Sequence, residues 1–188
     1  NIRDSVIVNP YGNGDGIFSS SSGAFSDTLV EGTTMLGTPT AGPTPTVGVV
    51  AQASWGDPTP ANTRFRLNNS VIYGYDYAMT YAEFYPEDTL NIAVDSSAYD
   101  PTRVSAGAGL GTPTFVTQGL VDLNGVDPGF KELPTGDYSL DSGSPLIDTG
   151  QAADPPAGSK DIGGNPRACH GTAAGVIRVN AGAVPIVG

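Results

Sequence analysis

The sequence predicts an all-β fold, and three observations predict it. The first is composition: 188 residues include 26 Gly and 16 Pro, and only 14% are charged. Helical proteins lean on Lys, Glu and Arg, whereas a chain rich in Gly, Pro, Ser, Thr and Val favours short strands separated by turns. The second is a strand pattern that recurs along the N-terminal half. The third is the stretch Gly136-Asp-Tyr-Ser-Leu-Asp-Ser-Gly-Ser-Pro-Leu-Ile-Asp-Thr-Gly150, where turn residues fall too close together for a helix.

The recurring pattern opens as Ile2-Arg-Asp-Ser-Val-Ile-Val-Asn9, a β-branched strand followed by the turn cluster Pro10-Tyr-Gly-Asn-Gly-Asp-Gly16. It returns as Val30-Glu-Gly-Thr-Thr-Met-Leu-Gly37, as Leu67-Asn-Asn-Ser-Val-Ile-Tyr-Gly74 and, more weakly, as Ala93-Val-Asp-Ser-Ser-Ala-Tyr-Asp100. Alignment places Asp4, Gly32, Asn69 and Asp95 at one position, and these residue types accept a positive φ. The next position holds Ser5, Thr33, Ser70 and Ser96, and two further on stand Ile7, Met35, Ile72 and Ala98. A second strand follows each of the first three turns: Gly16-Ile-Phe18, Val47-Gly-Val-Val50 and Ala78-Met-Thr-Tyr81.

The copies are spaced by 28, 37 and 26 residues. Such spacing suits a coil whose strands keep register while one turn swells. Each coil buries its apolar face only on its neighbours, so several must stack and the ends must be capped. The expected architecture is therefore a short parallel β-helix with protruding loops and an irregular C-terminal cap. Coils are expected over residues 1–125, and a last coil and cap over 126–188. The extra length of the second copy lies in Gly37-Thr-Pro-Thr-Ala-Gly-Pro-Thr-Pro-Thr46, whose three prolines exclude a central strand or a helix. It is expected to project from a corner as a loop over 37–46, with a second loop over 54–62. An open strand edge at residues 2–8 would be adhesive. It implies either a piece of a longer helix or self-association through that edge.

These words carry a family resemblance. The strand–Asn/Asp/Gly–Ser/Thr–strand repeat is joined by Val126-Asp-Pro-Gly-Phe130, Gly136-Asp-Tyr-Ser-Leu140, Gly143-Ser-Pro-Leu-Ile-Asp-Thr-Gly150 and Asp161-Ile-Gly-Gly-Asn-Pro-Arg167. Together they resemble the C-terminal part of secreted bacterial right-handed parallel β-helix proteins of the pectate-lyase-like superfamily. The match is close over 126–167 and loose over 2–100. The tail departs, with Asn180-Ala-Gly-Ala-Val-Pro185 where the family commonly carries an acidic strand. The resemblance implies an extracellular or cell-surface location and polysaccharide as the partner class.

Charge and cysteine usage bound the rest. The net charge of −11 argues against nucleic acid, which demands clustered Lys and Arg. No apolar run approaches the roughly 18 residues that span a bilayer, so membrane insertion is not expected. Cys169 is the single cysteine, and no internal disulfide can form. Cys169 and His170 are adjacent, and on an extended strand they face opposite ways, which is poor for a catalytic dyad. A thiol within the cap is the expected role.

Three groups of residues are candidates for chemistry. Asn13-Gly-Asp-Gly16 offers Asp15 and backbone carbonyls to calcium, but also reads as an ordinary turn and lacks a full calcium-loop pattern. Calcium is the one cation considered, and no cofactor is expected. Asp76, Glu83, Glu87 and Asp88 stand among Tyr75, Tyr77, Tyr81, Phe84 and Tyr85, with Trp55 near. Exposed aromatic rings stack on sugars, and Asp76 and Glu83 would be an acid/base pair if they lay roughly 5–10 Å apart. The alternative is inward-facing tyrosines and acids that solvate a loop. Lyases of this fold need a basic group beside calcium, for which Arg64, Arg66 and Arg103 are the candidates. Asp137, Asp148 and Asp161 are expected to fix turns by bonding backbone amides.

Three functions are weighed. The leading one is a non-catalytic segment of a secreted or surface protein that binds glycan. The others are the C-terminal part of a polysaccharide lyase or glycoside hydrolase, and a structural adhesin-like module. The fold does not choose among them.

Overall fold

The computed structural model describes residues 1–10, 14–40, 42–54, 59–133, 137–147 and 149–150, with the backbone of 168–171 and 176–179. The described chain is all-β and contains no α-helix. It winds through three stacked faces. The first coil comprises β1 (Ile2–Arg3), β2 (Val6–Val8) and β3 (Asp15–Ser21). The second comprises β4 (Phe25–Glu31), β5 (Thr34–Leu36) and β6 (Val47–Ala53). The third comprises β7 (Asn62–Asn68), β8 (Val71–Tyr73) and β9 (Tyr77–Glu83). The fourth comprises β10 (Thr89–Asp95), β11 (Ala98–Tyr99) and β12 (Val104–Ala106), with a 3₁₀ turn at Pro101–Arg103. A fifth begins with β13 (Thr114–Gln118) and β14 (Val121–Asp122).

Each strand pairs in parallel with its counterparts one coil away. The sheets run β1-β4-β7-β10-β13, β2-β5-β8-β11-β14 and β3-β6-β9-β12. The chain is thus a short parallel β-helix. Two antiparallel pairs follow, β15 (Phe130–Glu132) with β16 (Asp137–Leu140), and β17 (Ala168–Gly171) with β18 (Val176–Val179).

Rows of like residues build the interior. Val30, Leu67 and Val94 stack in one row of the first sheet, and Thr28, Phe65 and Ile92 in another. Met35 pairs with Ile72 in the second sheet and Val49 with Met79 in the third, and all belong to one buried cluster. Alternation along each strand sends these side chains inward and their neighbours outward.

The turn between the first and second sheets fixes the register. Asp4, Gly32, Asn69, Ser96 and Gly119 all adopt positive φ, between 45° and 58°. A hydroxyl follows each of the first four. Ser70 Oγ donates to Asn68 O at 2.7 Å and accepts from Thr33 N at 3.1 Å. Ser97 Oγ repeats this with Asp95 O and Ser70 N. The ladder thus satisfies buried backbone groups between coils. It stops where Leu120 follows Gly119 and packs on the core instead.

This geometry corrects the fourth copy of the repeat by one residue. Asp95 ends β10 opposite Asn68 and Gln118, and the left-handed position belongs to Ser96. Accordingly Tyr99, not Ala98, continues the inward row of Ile7, Met35 and Ile72, since Ala98 pairs with Val71.

The described part of the C-terminal words packs against the side of the stack. Val71 and Ala98 face away from the interior and form a second cluster with Leu123, Leu140 and Leu146. Tyr73 meets Phe130 with ring centroids 6.4 Å apart. Residues 123–133 and 137–147 therefore form a flap over the outer side of the second sheet. Within it Asp137 accepts from Ser139 N at 3.0 Å, and the Ser139 hydroxyl and amide hold its carboxyl below the usual range. Asp148 and Asp161 lie outside the described residues, as do the side chains of Cys169 and His170.

Candidate functional site

The described hollows gather at the corner between the second and third sheets. Tyr75 anchors this corner. It is 2% exposed, and its ring lies where a Cβ at Gly37 would come within 2.6 Å of it. A Cβ at Gly16 would come within 2.8 Å of the Tyr75 hydroxyl, whereas one at Gly48 would strike Ile72 and the Ala78 carbonyl. Glycine in successive coils thus leaves a slot that one aromatic ring fills. Burial, with the charge of Asp15, pushes the Tyr75 phenol up to about 12. Its hydroxyl has no hydrogen-bond partner among the described residues.

The neighbouring Asp76 ties down the proline-rich loop. Its Oδ2 accepts from Thr46 N at 2.8 Å, Thr46 Oγ1 at 3.0 Å and Thr40 N at 3.1 Å. The Thr46 and Thr40 amides hold its carboxyl below the ordinary carboxylate range, with a smaller contribution from Arg103. Loop 37–46 is therefore pinned back against the corner along its described part, through a side chain 30 residues away from Thr46.

The next coil contributes Arg103. Asp100 caps the 3₁₀ turn by accepting from Thr102 N at 2.9 Å, with proline at the start of the turn. This directs Arg103 back over the preceding coil. Its Nη1 donates to Tyr75 O at 2.6 Å, and its Nε lies 3.2 Å from Asp100 Oδ2. Nearly half of the Arg103 side chain, 46%, stays exposed. Arg103 lines two hollows. One, of about 420 Å³, lies between Tyr73, Pro39 and Arg103 on the stack and Val126 and Asp127 on the flap. The other, of about 370 Å³, lies between Pro43 and Pro45 of the loop and Asp76 and Tyr77.

The acidic and aromatic residues grouped in the sequence are divided by β9. Asp76 precedes this strand and Glu83 ends it, so they are about 20 Å apart at roughly 3.3 Å per residue. This corrects the expectation of an acid/base pair, which needs roughly 5–10 Å. Glu83 is 4% exposed and its Oε1 accepts from Leu90 N. Asp88 is also buried, accepting from Ser54 Oγ, Ala61 N and Tyr85 N. Both fasten the opposite corner, where the third sheet returns to the first.

The tyrosines also separate. Tyr75 is interior and is removed from the exposed set. Tyr81 packs against the core and stacks on Phe115 at 5.4 Å. Tyr85 is half-buried beside Asp88, and Tyr77 is 37% exposed at the smaller hollow. Trp55 lies outside the described residues. Tyr73, which the sequence did not single out, lines the larger hollow. Asp100 and Asp127 were missed too. The Asp100-Pro101 pair was the available signal, as a capped turn start.

Arg64 and Arg66 stand on the outer face of the first sheet, where both face Asp27, at 4.0 and 3.0 Å. Arg3 pairs with Glu31 at 3.0 Å on the same face. Asp15 opens β3, and burial raises its carboxyl pKa. Among the described residues no group of three or more His, Cys, Asp or Glu side chains is placed to hold a metal ion. No described helix is long and apolar enough to cross a membrane.

Comparison with protein-family models, with curated proteins and with solved structures returned no match. The site offers apolar walls, a fixed guanidinium and flanking carboxylates in an open corner. Rings and proline there can cover apolar faces, and the acids and Arg can exchange hydrogen bonds with hydroxyl groups.

Proposed function

We propose that this chain is a non-catalytic, glycan-binding segment of a secreted or cell-surface β-helix protein, of the pectate-lyase-like type that its C-terminal words resemble. The observation that carries the reading is the larger corner hollow, where Tyr73, Pro39 and Val126 supply apolar surface beside Asp100, Asp127 and Arg103. A volume of about 420 Å³ falls within the roughly 300–1,000 Å³ typical of small-ligand sites. Its binding groups come from three coils and the flap, so a folded stack is needed to assemble them.

The non-catalytic part rests on the state of the acids. Asp76 is held ionised by three donors, which suits an anchor and disfavours a proton donor at neutral pH. Glu83 is buried at the other corner. The lyase or hydrolase alternative thus loses its proposed pair, and the net charge of −11 keeps nucleic acid an unfavourable partner.

The test is a panel of soluble polysaccharides, each assayed for binding by calorimetry and for new chain ends, with calcium and with chelator. The expected result is saturable binding that Tyr73→Ala and Arg103→Ala each weaken, with no turnover. Turnover lost in Asp76→Asn or Glu83→Gln would establish the enzymatic alternative. Absence of binding to every polymer would leave the structural-module reading.

A further inference from the structure

The two hollows are lined by different residues and have Arg103 in common. We propose that they are adjacent subsites for one linear, uncharged glycan of at least two units, with the Arg103 guanidinium between the units. The inference rests on the carbohydrate reading above and deepens it, because it specifies length and charge.

The length argument is geometric. Each hollow is near the lower end of the size range for a small-ligand site. Each also has its own tyrosine, Tyr73 in the larger and Tyr77 in the smaller. The Arg103 position is set twice, by Tyr75 O and by Asp100, so the guanidinium is fixed before a ligand arrives. Those two contacts occupy part of a fork that has five N–H donors. The rest suits oxygens at a junction between sugars.

The charge argument follows from the acids around that fork. Asp76, Asp100 and Asp127 line the two hollows, against the single cation of Arg103. Asp100 already lies 3.2 Å from Arg103 Nε. A ligand carboxylate would meet an already neutralised guanidinium and two further anions, and like charges in one site repel. Sugar hydroxyls can instead donate to the carboxylates and accept from the guanidinium. A uronic acid polymer is thus excluded by the same residues that would bind a neutral one.

The experiment is calorimetric titration with linear gluco-, manno- and galacto-oligosaccharides of one to four units, and with galacturono- and mannurono-oligosaccharides of the same lengths. At least one neutral series should tighten about tenfold or more from one unit to two or three, the scale of a charge-assisted hydrogen bond with a second ring contact. The uronic series should bind more weakly, and raised salt should narrow the gap. Tyr77→Ala should abolish the gain with length while one unit still binds, and Arg103→Ala should weaken binding at every length. Asp127→Lys, on the exposed flap loop, should move preference toward the uronic series without touching the core.

Tighter binding of a uronic series by the wild-type chain would overturn the charge assignment and leave the glycan reading standing. Binding that is independent of length and unmoved by Tyr77→Ala would overturn the paired subsites. Absence of binding to every oligosaccharide and polymer would overturn the glycan reading and this inference together.

Discussion

Two corners of the same coils are built on opposite rules. Between the first and second sheets the turn is one left-handed residue, and the next residue supplies a hydroxyl, coil after coil. Between the second and third sheets the connection swells and shrinks, with a proline-rich segment in one coil and a 3₁₀ turn in another. The first corner holds neighbouring coils in register and leaves no freedom. The second has its register already fixed, so its residues are free to build a pocket. A parallel stack thus separates the parts that keep it folded from the part that can acquire a ligand.

The largest expected effect tests where the two rules meet. Tyr75 fills the glycine slot beneath the variable corner. Tyr75→Ala should cost about 3–5 kcal/mol, the range for removing a buried aromatic ring, measured by denaturant unfolding. Gly37→Val should lose stability for the complementary reason, since its Cβ would strike the ring. A cost below about 1 kcal/mol for Tyr75→Ala would show that the slot does not hold the corner together.

At the constant corner, Ser70→Ala removes an acceptor from the buried Thr33 amide and a donor to Asn68 O. The expected loss is about 1–3 kcal/mol, because a buried N–H is left without a partner. Replacing Thr102, on the exposed side of the variable corner, should cost clearly less. Equal losses would erase the distinction between the corners.

The sequence made the constant corner legible and the variable one obscure, for physical reasons. A positive φ restricts residue choice, so Asp4, Gly32 and Asn69 advertise the turn. Asp95-Ser96-Ser97 offers more than one acceptable residue, and only pairing with Asn68 settles that Ser96 makes it. The alternation in Thr89-Leu-Asn-Ile-Ala-Val-Asp95 spans the whole of β10, but only Ser96 and Ser97 separate it from β11, so the sequence does not mark its end. Arg103 and Tyr75 are 28 residues apart, and one turn of the helix brings them together. No local pattern records that. Leu140 and Leu146 announced a buried segment without stating that it covers the side of the stack, since its partners Val71 and Ala98 look like ordinary strand residues.

A smaller effect concerns pH at the variable corner. Folding lowers the Asp76 pKa below its ordinary value of 3.8, so the fold favours the ionised form. The stabilisation is complete above that value and disappears as pH falls through the folded pKa. Limited proteolysis within loop 37–46 should therefore accelerate on acidification below about pH 4. Asp76→Asn should be cut faster already at neutral pH and respond less to acid. Identical cleavage profiles would mean that Asp76 does not hold the loop.

The smallest effect at neutral pH is expected from Tyr75→Phe. The ring stays and only a buried hydroxyl with no partner among the described residues goes, so stability at pH 7 should change by less than about 1 kcal/mol or rise. The folded pKa near 12 lies above the ordinary 10. The neutral phenol thus contributes fully below pH 10, and that contribution is lost as pH rises toward 12. Tyr75→Phe should lack this alkaline loss.

The proposed ligand site is the variable corner and not the sheet faces. The most direct measurement is a backbone amide NMR titration of the whole chain with a neutral oligosaccharide that binds in the calorimetric panel. Shifts should be confined to residues 39–46, 73–77, 100–103 and 123–127, with the Thr33, Ser70 and Ser97 ladder unmoved. Shifts centred instead on the outer face of the first sheet, at Asp27, Arg64 and Arg66, would contradict it.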